Sequence, residues 1–411
     1  MRATSKTVLS VGSMIAIGGL VASCSSAGST TTTSSDTSKG TLTIMQIIPP
    51  GNFGLGLLNQ GSQAAVDAIN AKGGIGGQKV VLKVCYDGAP ESLPNSTAQC
   101  GQQAVADKAV ALTGTFTAFS QALYPEIKST GVANISAVMI DPGDFTNAQA
   151  YPTGPNSDSV LTGVGITLAQ EGCKKVAFLA FEEGGSPQFV AAFDAGAQWA
   201  GASVAPAAVV PTTEADFAPA IDKFASEGVD CLGYDLGIQQ VPTVLSDIKD
   251  SGRTMKIASI TSNMTPAQFK QYPQLAGTRL VAPLYPSAFN TTGQQQAIAE
   301  LKKYENVTDP GSLVLASWGA VQVFAQAAEK VAASHHAVTA ASVKAALDTM
   351  TNVVTGITPP LDYSKPGPLP LLPRIPDLYE FVETVTSSGD LVPLTRTPLN
   401  TEAAEKEFKA F

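Results

Sequence analysis

The sequence predicts an α/β protein made of two doubly wound lobes, and three observations carry this prediction. Strand and helix patterns alternate from residue 41 onward, and the alternation restarts after an irregular Pro- and Asp-rich connection at 139–156. The chain has 411 residues, a length that predicts more than one domain. Its hydrophobic content of 44% is enough to bury large cores. Because alternating strands and helices form parallel sheets with helices on both faces, two such runs indicate two lobes.

One helix, glycine turn and strand are especially clear. Apolar residues recur at helical spacing over 60–72, which predicts an amphipathic helix. Gly73 and Gly74 follow directly, and glycine at this point is typical of a helix end. The apolar residues of 80–84 then predict a strand buried on both faces of its sheet.

The remaining elements continue this pattern. Further strands are predicted at 41–48, 109–113, 132–138, 175–181, 203–210, 229–234, 256–260 and 279–285. Helices are predicted at 96–107, 120–129, 157–171, 187–200, 215–227, 238–251, 291–304, 312–333 and 339–349. A terminal hairpin is predicted at 378–386 and 391–394. Doubly wound sheets bind ligands outside the carboxyl ends of their strands. The candidate loops are therefore 49–58, 114–119, 139–147, 182–187, 234–238 and 261–265.

The first residues predict a targeting segment. Arg2 and Lys6 precede an apolar run at 8–22, which fits a secretory signal and is too short for a comfortable membrane span. We therefore predict a signal peptide at 1–23 and an extracytoplasmic location for the folded part.

The end of this segment predicts a lipid anchor. The run LVASC at 20–24 resembles the lipobox of bacterial lipoproteins, in which the Cys becomes the lipidated N-terminus. We predict lipidation at Cys24, followed by a flexible Ser- and Thr-rich tether, so that 24–39 link the folded part to the bacterial cell membrane. An ordinary signal peptide followed by a chance Cys is the alternative.

Charge and composition exclude several classes of function. The net charge is −9 and no basic patch occurs, so nucleic acid is not a predicted partner. No metal or other cofactor is predicted, since Cys-x-x-Cys is absent and the two histidines, His335 and His336, fit a solvated helix end.

The cysteines predict disulfides. Beyond Cys24 the chain has four, an even number in an oxidising compartment, and four thiols allow three pairings. Cys85 ends a predicted strand and Cys100 lies in the next helix, while Cys173 precedes a strand and Cys231 lies within another. We predict the pairs Cys85–Cys100 and Cys173–Cys231.

The sequence does not predict an enzyme. It has no Gly-x-Ser-x-Gly, no phosphate-binding Gly-x-x-x-x-Gly-Lys and no metal-ligand constellation. The glycines of 73–77 precede a strand, whereas a phosphate loop follows one. Glu182 and Glu183 are adjacent and cannot face each other across a substrate.

Several stretches resemble a known family. GSQAAVDAINAKGGIGGQKVVLKVCYDG and VALTGTFTAFSQALYPEIKSTGVANIS resemble the first units of branched-chain amino-acid-type solute-binding proteins of ABC transporters, the Leu/Ile/Val-binding-protein-like group. GCKKVAFLAFEEG, FVAAFDAGAQWAGASV and SWGAVQVFAQAAEKV resemble its later units. The likeness covers roughly residues 41–395.

The resemblance implies the type I periplasmic-binding fold, in which two lobes with a three-stranded hinge close over a small-molecule ligand. By analogy, lobe one is 40–157 plus 287–357, and lobe two is 158–286 plus 358–411. It also implies delivery of the ligand to ABC-transporter permease subunits. A ligand sensor that presents to a membrane receptor without transport is the alternative.

The amino-acid-binding residues of that family are not matched here. Their first hydroxyl, near the helix after the third strand, falls on Ala118, and the second falls near Ile140. The acidic residue that meets the ammonium group falls within the uncharged run 261–263. Because an uncompensated buried charge costs several kcal/mol, these departures favour a less charged, apolar, aromatic or amide ligand.

We predict a cleft with apolar and aromatic surface and few polar groups. Its predicted ligand-binding residues are Phe53, Thr115, Phe116, Thr117, Ala118, Ser136, Glu182, Tyr234, Asp235, Asn263 and Tyr285. Phe119, Met139 and Phe181 add apolar surface, and Glu182 or Asp235 would meet any cationic or amide group. Phe116 fits helix-start packing equally well, and Asp235 fits a solvated turn. Trp199 and Trp318 are predicted to be core residues.

Overall fold

The computed structural model describes residues 40–50, 57–88, 93–182, 186–237 and 240–407. The predicted signal peptide, Cys24 and the tether lie outside these residues, as does Phe53. Within the described residues, no helix has the length and apolar character needed to cross a membrane.

The first half of the chain forms a four-stranded parallel sheet in the order β2-β1-β3-β4. Its strands are β1 (Thr41–Ile48), β2 (Lys79–Tyr86), β3 (Ala111–Thr115) and β4 (Ala133–Ser136). The helices of this region are α1 (Leu58–Ala71), α2 (Leu93–Ala106), α3 (Ser120–Ile127) and α4 (Gly143–Thr146). Gly73 and Gly74, with φ of 99° and 74°, end α1 as its sequence predicts.

The second sheet has nine strands in the described part of the chain. They are β5 (Lys175–Phe181), β6 (Ser203–Val204), β7 (Ala208–Val210), β8 (Cys231–Asp235), β9 (Lys256–Ile260), β10 (Arg279–Ala282), β11 (Tyr379–Val385), β12 (Leu391–Pro393) and β13 (Leu399–Asn400). Strands β5, β8, β9 and β10 are parallel neighbours, and the terminal hairpin adds β11 and β12 in the antiparallel sense. The later helices are α5 (Ser157–Gln170), α6 (Ser186–Trp199), α7 (Ala218–Ser226), α8 (Val241–Asp250), α9 (Pro266–Gln271), α10 (Thr292–Glu305), α11 (Ser312–Ala333), α12 (Ala340–Leu347) and α13 (Glu402–Glu407).

Each sheet carries apolar cores on both faces, which is the doubly wound arrangement that the sequence predicts. In the first sheet, α1 and α11 cover one face while α2 and α3 cover the other. In the second sheet, α5 and α6 lie on one side while α7 and α8 lie on the other. The α/β fold class is therefore confirmed.

The chain passes between the two sheets three times. It leaves the first sheet after β4 and returns with α10 to α12, whose apolar residues pack into the first core. It then re-enters the second sheet at β11. Leu361 and Tyr363 still belong to the first core, a few residues beyond the boundary predicted at 357/358.

Three local predictions were wrong. β2 is half exposed along much of its length, because it is the edge strand of its sheet and is not enclosed on both faces. The strand predicted at 203–210 is two short strands, β6 and β7. Trp199 is 43% exposed because it lies at the last residue of α6, whereas Trp318 is buried as predicted.

Both predicted disulfides are confirmed. Cys85 bonds to Cys100 and ties the edge strand β2 to α2. Cys173 bonds to Cys231, 58 residues further along the chain, and ties the start of β5 to the start of β8. The carboxylate of Asp230 lies close to the sulfur atoms of these two cysteines, a combination that could bind a metal ion. Because the two thiols are joined in a disulfide, they are not free to do so.

Candidate functional site

A cleft lies where the carboxyl end of β4, an edge strand of the first sheet, and those of β9 and β10, central strands of the second, meet the crossing segments. The cleft has a volume of about 50 Å³. Its lining residues are Ala137, Val138, Met139, Thr153, Gly154, Pro155, Ser157, Val160, Ile260, Ser262, Pro283, Leu284, Ser312, Leu313 and Ala316. They come from both sheets and from two chain crossings, so the cleft is the place where a hinged pair of lobes would hold a ligand.

The lining is apolar with four hydroxyl groups. The hydroxyl residues are Thr153, Ser157, Ser262 and Ser312, and none of the lining residues in the described part of the chain carries a charge. A zwitterion in such a place would lack the ion partners that compensate the loss of water. The cleft therefore suits a molecule with an apolar body and few polar groups.

Backbone hydrogen bonds fix the side of the cleft that follows β4. The N–H groups of Ala137 and Val138 donate to the carbonyl oxygen of Thr115, at 3.1 and 3.5 Å. The N–H of Ser157 donates to Met139 O at 3.2 Å, and so joins the start of α5 to the same loop. These hydrogen bonds join the backbone of the loop to the end of β3 and to the start of α5.

Buried hydroxyl groups without partners occur at the strand ends next to the cleft. Thr115 and Ser136 are each 1% exposed and face each other at the ends of β3 and β4, and Thr261 is 6% exposed. Among the described residues, no hydrogen-bond partner exists for the hydroxyl oxygens of these three residues or for that of Ser312. Because buried polar groups are normally paired, these four oxygens are exceptions, and Ser312 is the one of the four residues that lines the cleft.

The start of α3 is already occupied by a side chain of the protein. Asp141 Oδ1 accepts hydrogen bonds from Gln121 N at 3.2 Å, from Ser120 Oγ at 2.9 Å and from Gly143 N at 2.8 Å. Helix N-termini attract anions through their free N–H groups. The Asp141 carboxylate thus lies where the resemblance predicts the carboxylate of an amino acid.

A second acidic residue of the same loop is also bound internally. Asp144 Oδ1 accepts from Tyr124 OH at 2.8 Å and from Asn134 Nδ2 at 3.4 Å. Burial raises the pKa of the Asp144 carboxyl to about 8. The carboxyl groups of both Asp141 and Asp144 are thus held by groups of the protein through Oδ1.

The predicted ligand-binding residues after β3 differ in how deeply they are buried. Thr117 is buried, and its Oγ1 lies 3.2 Å from Thr97 Oγ1, which donates to Asp87 at 3.4 Å. Burial raises the pKa of the Asp87 carboxyl, while the hydrogen bonds of Thr117 and Thr97 lower it. Phe116 is half-buried and Ala118 is exposed. None of Phe116, Thr117 and Ala118 is a lining residue of the cleft.

The predicted residues of the second sheet lie apart from one another. Glu182 is exposed, and its N–H donates to Val210 O at 2.6 Å. Tyr234 is 2% exposed and packs in the core that α7 and α8 cover. Asp235 is half-buried at the end of β8. Asn263 lies in a short 3₁₀ turn beside the lining residue Ser262.

Tyr285 belongs to an aromatic group and is not a lining residue of the cleft. Its ring lies 5.8 Å from that of Phe289 and 5.3 Å from that of Phe381. The neighbouring Leu284 lines the cleft instead. The ligand-binding roles assigned from the sequence to these residues stay predictions.

Most of the apolar lining was missed by reasoning from the sequence, although Met139 was expected. Val138, Ile260 and Leu284 each lie at or just beyond a strand end, and this position was the available signal. Leu313 and Val160 lie in the first turns of α11 and α5, which strand-end reasoning does not consider.

The chain forms two sheets, each with parallel strands, and crosses between them three times. A cleft lies where the sheets meet the crossings. These features define a ligand-binding protein of the type I periplasmic-binding class. The chain matches the family model described as periplasmic binding protein over residues 50–367, and it belongs to that family. The resemblance recognised from the sequence is confirmed at the level of family and fold. No match to curated proteins is found.

Solved structures share the fold at low sequence identity. A fatty acid ABC transporter substrate-binding protein from Thermomonospora curvata has a TM-score of 0.75 and 16% identity, covering 89% of this chain and 94% of that one. An R. palustris solute-binding protein in complex with benzoate has a TM-score of 0.72 and 15% identity, covering 88% and 98%. A leucine-binding protein from Thermotoga maritima has a TM-score of 0.70 and 16% identity, covering 88% and 99%.

Proposed function

We propose that this protein captures a small apolar or aromatic molecule in its cleft and delivers it to the permease subunits of an ABC importer. The lobes would be 40–157 plus 287–357 and 158–286 plus 358–411, and closing them would bury the ligand. Family membership supports the binding role. The proposal includes a signal peptide at 1–23 and a lipid anchor at Cys24 that holds the protein outside the cell membrane.

The observation that carries the choice of ligand is that the cleft residues which the structure describes are all uncharged. The internal carboxylate of Asp141 at the start of α3 supports the same choice, because it fills a position that an amino acid would need. Solved relatives titled as binding fatty acids and benzoate show that this fold accepts such molecules in other proteins.

A thermal-shift screen followed by calorimetry tests the ligand class. Ligands that bind the folded state raise its melting temperature, and we expect benzoate, hexanoate or their amides to do so while leucine, isoleucine and valine do not. Tight binding of those three amino acids, with no binding of the apolar probes, would refute the proposal.

A pair of alanine-to-leucine variants tests the location. Ala137 lines the cleft, so Ala137→Leu would fill part of it and weaken probe binding about tenfold or more. Ala118 is exposed and is not a lining residue, so Ala118→Leu is the matched control and should bind like the unmodified protein. The reverse result would place the ligand beside α3 instead.

Transport and sensing are separated in cells. If the protein supplies an importer, deleting its gene abolishes uptake of a labelled probe that binds it. Unchanged uptake together with a lost transcriptional response would favour the alternative, a sensor that presents its ligand to a membrane receptor.

A further inference from the structure

Four buried carboxyl groups lie where two of the chain crossings enter the second sheet. Asp158 is in the first turn of α5, where the first crossing ends. Asp377 and Glu380 lie at the start of β11, where the third crossing ends, and Glu405 lies in α13. Glu380 is fully buried, and the other three are at most 9% exposed. Because a buried carboxylate without a partner is costly, this arrangement needs a physical explanation.

Contacts join these four residues into one group, called here the carboxyl cluster. The Ser159 hydroxyl donates a hydrogen bond to Glu380 Oε1 and so joins α5 to β11. The carboxyl group of Glu405 interacts electrostatically with those of Asp158 and Glu380. Glu380 interacts in the same way with Asp377. The cluster therefore links the ends of the first and third crossings to the C-terminal helix.

No cation neutralises the carboxyl cluster in the part of the chain that the structure describes. Each member has one carboxyl oxygen without a hydrogen-bond partner there, and none of the four forms an ion pair. Burial raises the pKa of Asp377 to about 6 and the pKa values of Asp158 and Glu405 to about 7. It raises the pKa of Glu380 well above its usual value. The groups therefore hold protons that exposed carboxylates would lose.

The other titratable groups of the surrounding elements do not change this balance. They are Asp194 on α6, Tyr379 and Glu383 on β11, Glu402, Lys406 and Glu407 on α13, Lys256 on β9, Arg279 on β10, and Tyr285, Tyr363, Arg374 and Arg396 in the connecting segments. Each of the five cations in this set contacts a group outside the cluster. Ionisation of the cluster would therefore place like charges together without compensation.

One turn of α5 belongs both to the cluster and to the cleft. Asp158 and Ser159 lie between Ser157 and Val160, which line the cleft. The hydrogen bond from Ser159 to Glu380 holds this turn against the strand in which the third crossing ends. In a hinged pair of lobes, the crossing segments take up the closing motion. A change at the cluster therefore acts on the wall of the cleft and on the hinge together.

We propose that the carboxyl cluster is a pH-sensitive switch in the hinge: it holds the first and third crossings together while protonated, and its ionisation loosens them and weakens ligand binding. Loosening lets water reach the charges and separates them, which lowers the cost of ionisation. The tight arrangement binds protons more strongly than the loosened one. It is therefore favoured at low pH and lost as pH rises from about 5 to about 8. The effect on ligand binding rests on the proposed function, whereas the switch itself does not.

The affinity of uncharged probes tests the effect on ligand binding. Benzamide and hexanamide keep the same charge between about pH 5 and about pH 8, so a change in their affinity comes from the protein. We expect calorimetry to show binding about tenfold weaker at the higher pH. This change corresponds to one unit by which ligand binding raises the pKa of a cluster carboxyl.

Matched variants assign the effect to the cluster. Glu380→Gln combined with Glu405→Gln removes two titrating groups and leaves an amide oxygen to accept from Ser159. Its affinity should change by less than about threefold over the same pH range. The control is Glu383→Gln, because Glu383 lies in the same strand, is 4% exposed and has a pKa raised by burial to about 7, but is not a member of the cluster. It should keep the tenfold change, and all three proteins should bind alike at about pH 5.

Hydrogen exchange tests the switch without a ligand. The backbone amides of 157–160 and 377–380 are followed in the unliganded unmodified protein and in the double variant. Comparison at the same pH removes the dependence of the intrinsic exchange rate on pH. We expect equal exchange at about pH 5, and about tenfold faster exchange in the unmodified protein at about pH 8.

The outcomes separate the switch from the proposed function. Equal exchange in the two proteins at about pH 8 overturns the switch, as does a loss of the pH dependence of affinity in Glu383→Gln. Amides bound equally tightly at both pH values overturn its effect on ligand binding. The expected difference in exchange, with no binding of either amide, supports the switch and refutes the proposed ligand class.

Discussion

The crossing of α5 and α6 provides a stability prediction that the structure makes quantitative. A Cβ atom at Gly165 of α5 would lie 2.2 Å from Phe193 O and 2.7 Å from Ala197 N of α6. The reciprocal position, Gly196, would place a Cβ 2.0 Å from Thr162 O. The two backbones are therefore in direct contact, and a methyl group has no room between them.

Two opposing effects determine whether Gly165→Ala raises or lowers the free energy of unfolding. In a helix interior, alanine is favoured over glycine by about 1 kcal/mol. Against this, overpacking costs about 3 kcal/mol, the upper end of its usual range, because the methyl group would meet backbone atoms and normal contact requires the helices to separate by about 1 Å. Separation also disturbs the stacked rings of Phe178 and Phe193, whose centroids are 4.8 Å apart. We expect a net loss of about 2 kcal/mol in the free energy of unfolding.

Gly163 is the matched control in the same helix. Its added Cβ would meet a side-chain atom, Val281 Cγ1, at 3.1 Å, and not the backbone of another helix. The same propensity gain applies, and the neighbour can move by a few tenths of an ångström. We expect Gly163→Ala to stay within about 1 kcal/mol of the unmodified protein.

Urea unfolding followed by circular dichroism measures both variants, with Trp199 fluorescence as a local probe because this residue ends α6. A Gly165→Ala protein as stable as the unmodified one would refute the reasoning. An equal loss for Gly163→Ala would show that the backbone contact is not the cause.

Three further predictions concern stability. Replacing both Cys173 and Cys231 by alanine opens a 58-residue loop and should lower the free energy of unfolding by about 4 kcal/mol, measured by urea titration. The control is the reduced unmodified protein, whose free energy of unfolding should fall by a similar amount or more. Trp318→Phe removes the 2.8 Å hydrogen bond from Nε1 to buried Glu300 and should cost about 2 kcal/mol, and an unchanged urea midpoint would contradict this. Burial raises the pKa of Glu405 to about 7, so the folded state keeps a proton that the unfolded state has lost. Stability should therefore fall as pH rises from about 4 to about 7, and Glu405→Gln should make the melting temperature less dependent on pH over that range.

Local sequence determined most of the elements and much of their burial. Helical spacing and glycine turns placed α1 and its end, and alternation placed β1 and β5, because these signals depend on neighbours a few residues apart. The disulfides followed from the positions of cysteines on such elements. Tyr234 could also have been recognised as a core residue, since it shares a strand face with Leu232 in the same cluster.

The sequence also identified the family and the loss of the amino-acid pattern. Ala118 and the uncharged run 261–263 are visible without a structure. The sequence does not show which group takes the place of the missing amino-acid-binding residues, because that group can come from a distant part of the chain.

The tertiary structure alone decided which groups meet at the cleft. Ser312 follows Met139 by more than 170 residues, and both line it because the chain crosses between the sheets and returns with α11. Asp141 reaches the start of α3 only through the conformation of the loop after β4. Short-range patterns record whether a side chain is buried, whereas the partner it meets depends on long-range chain crossings. Sequence therefore determined the two-lobed scaffold, and the packing of distant segments determined the chemistry of its cleft.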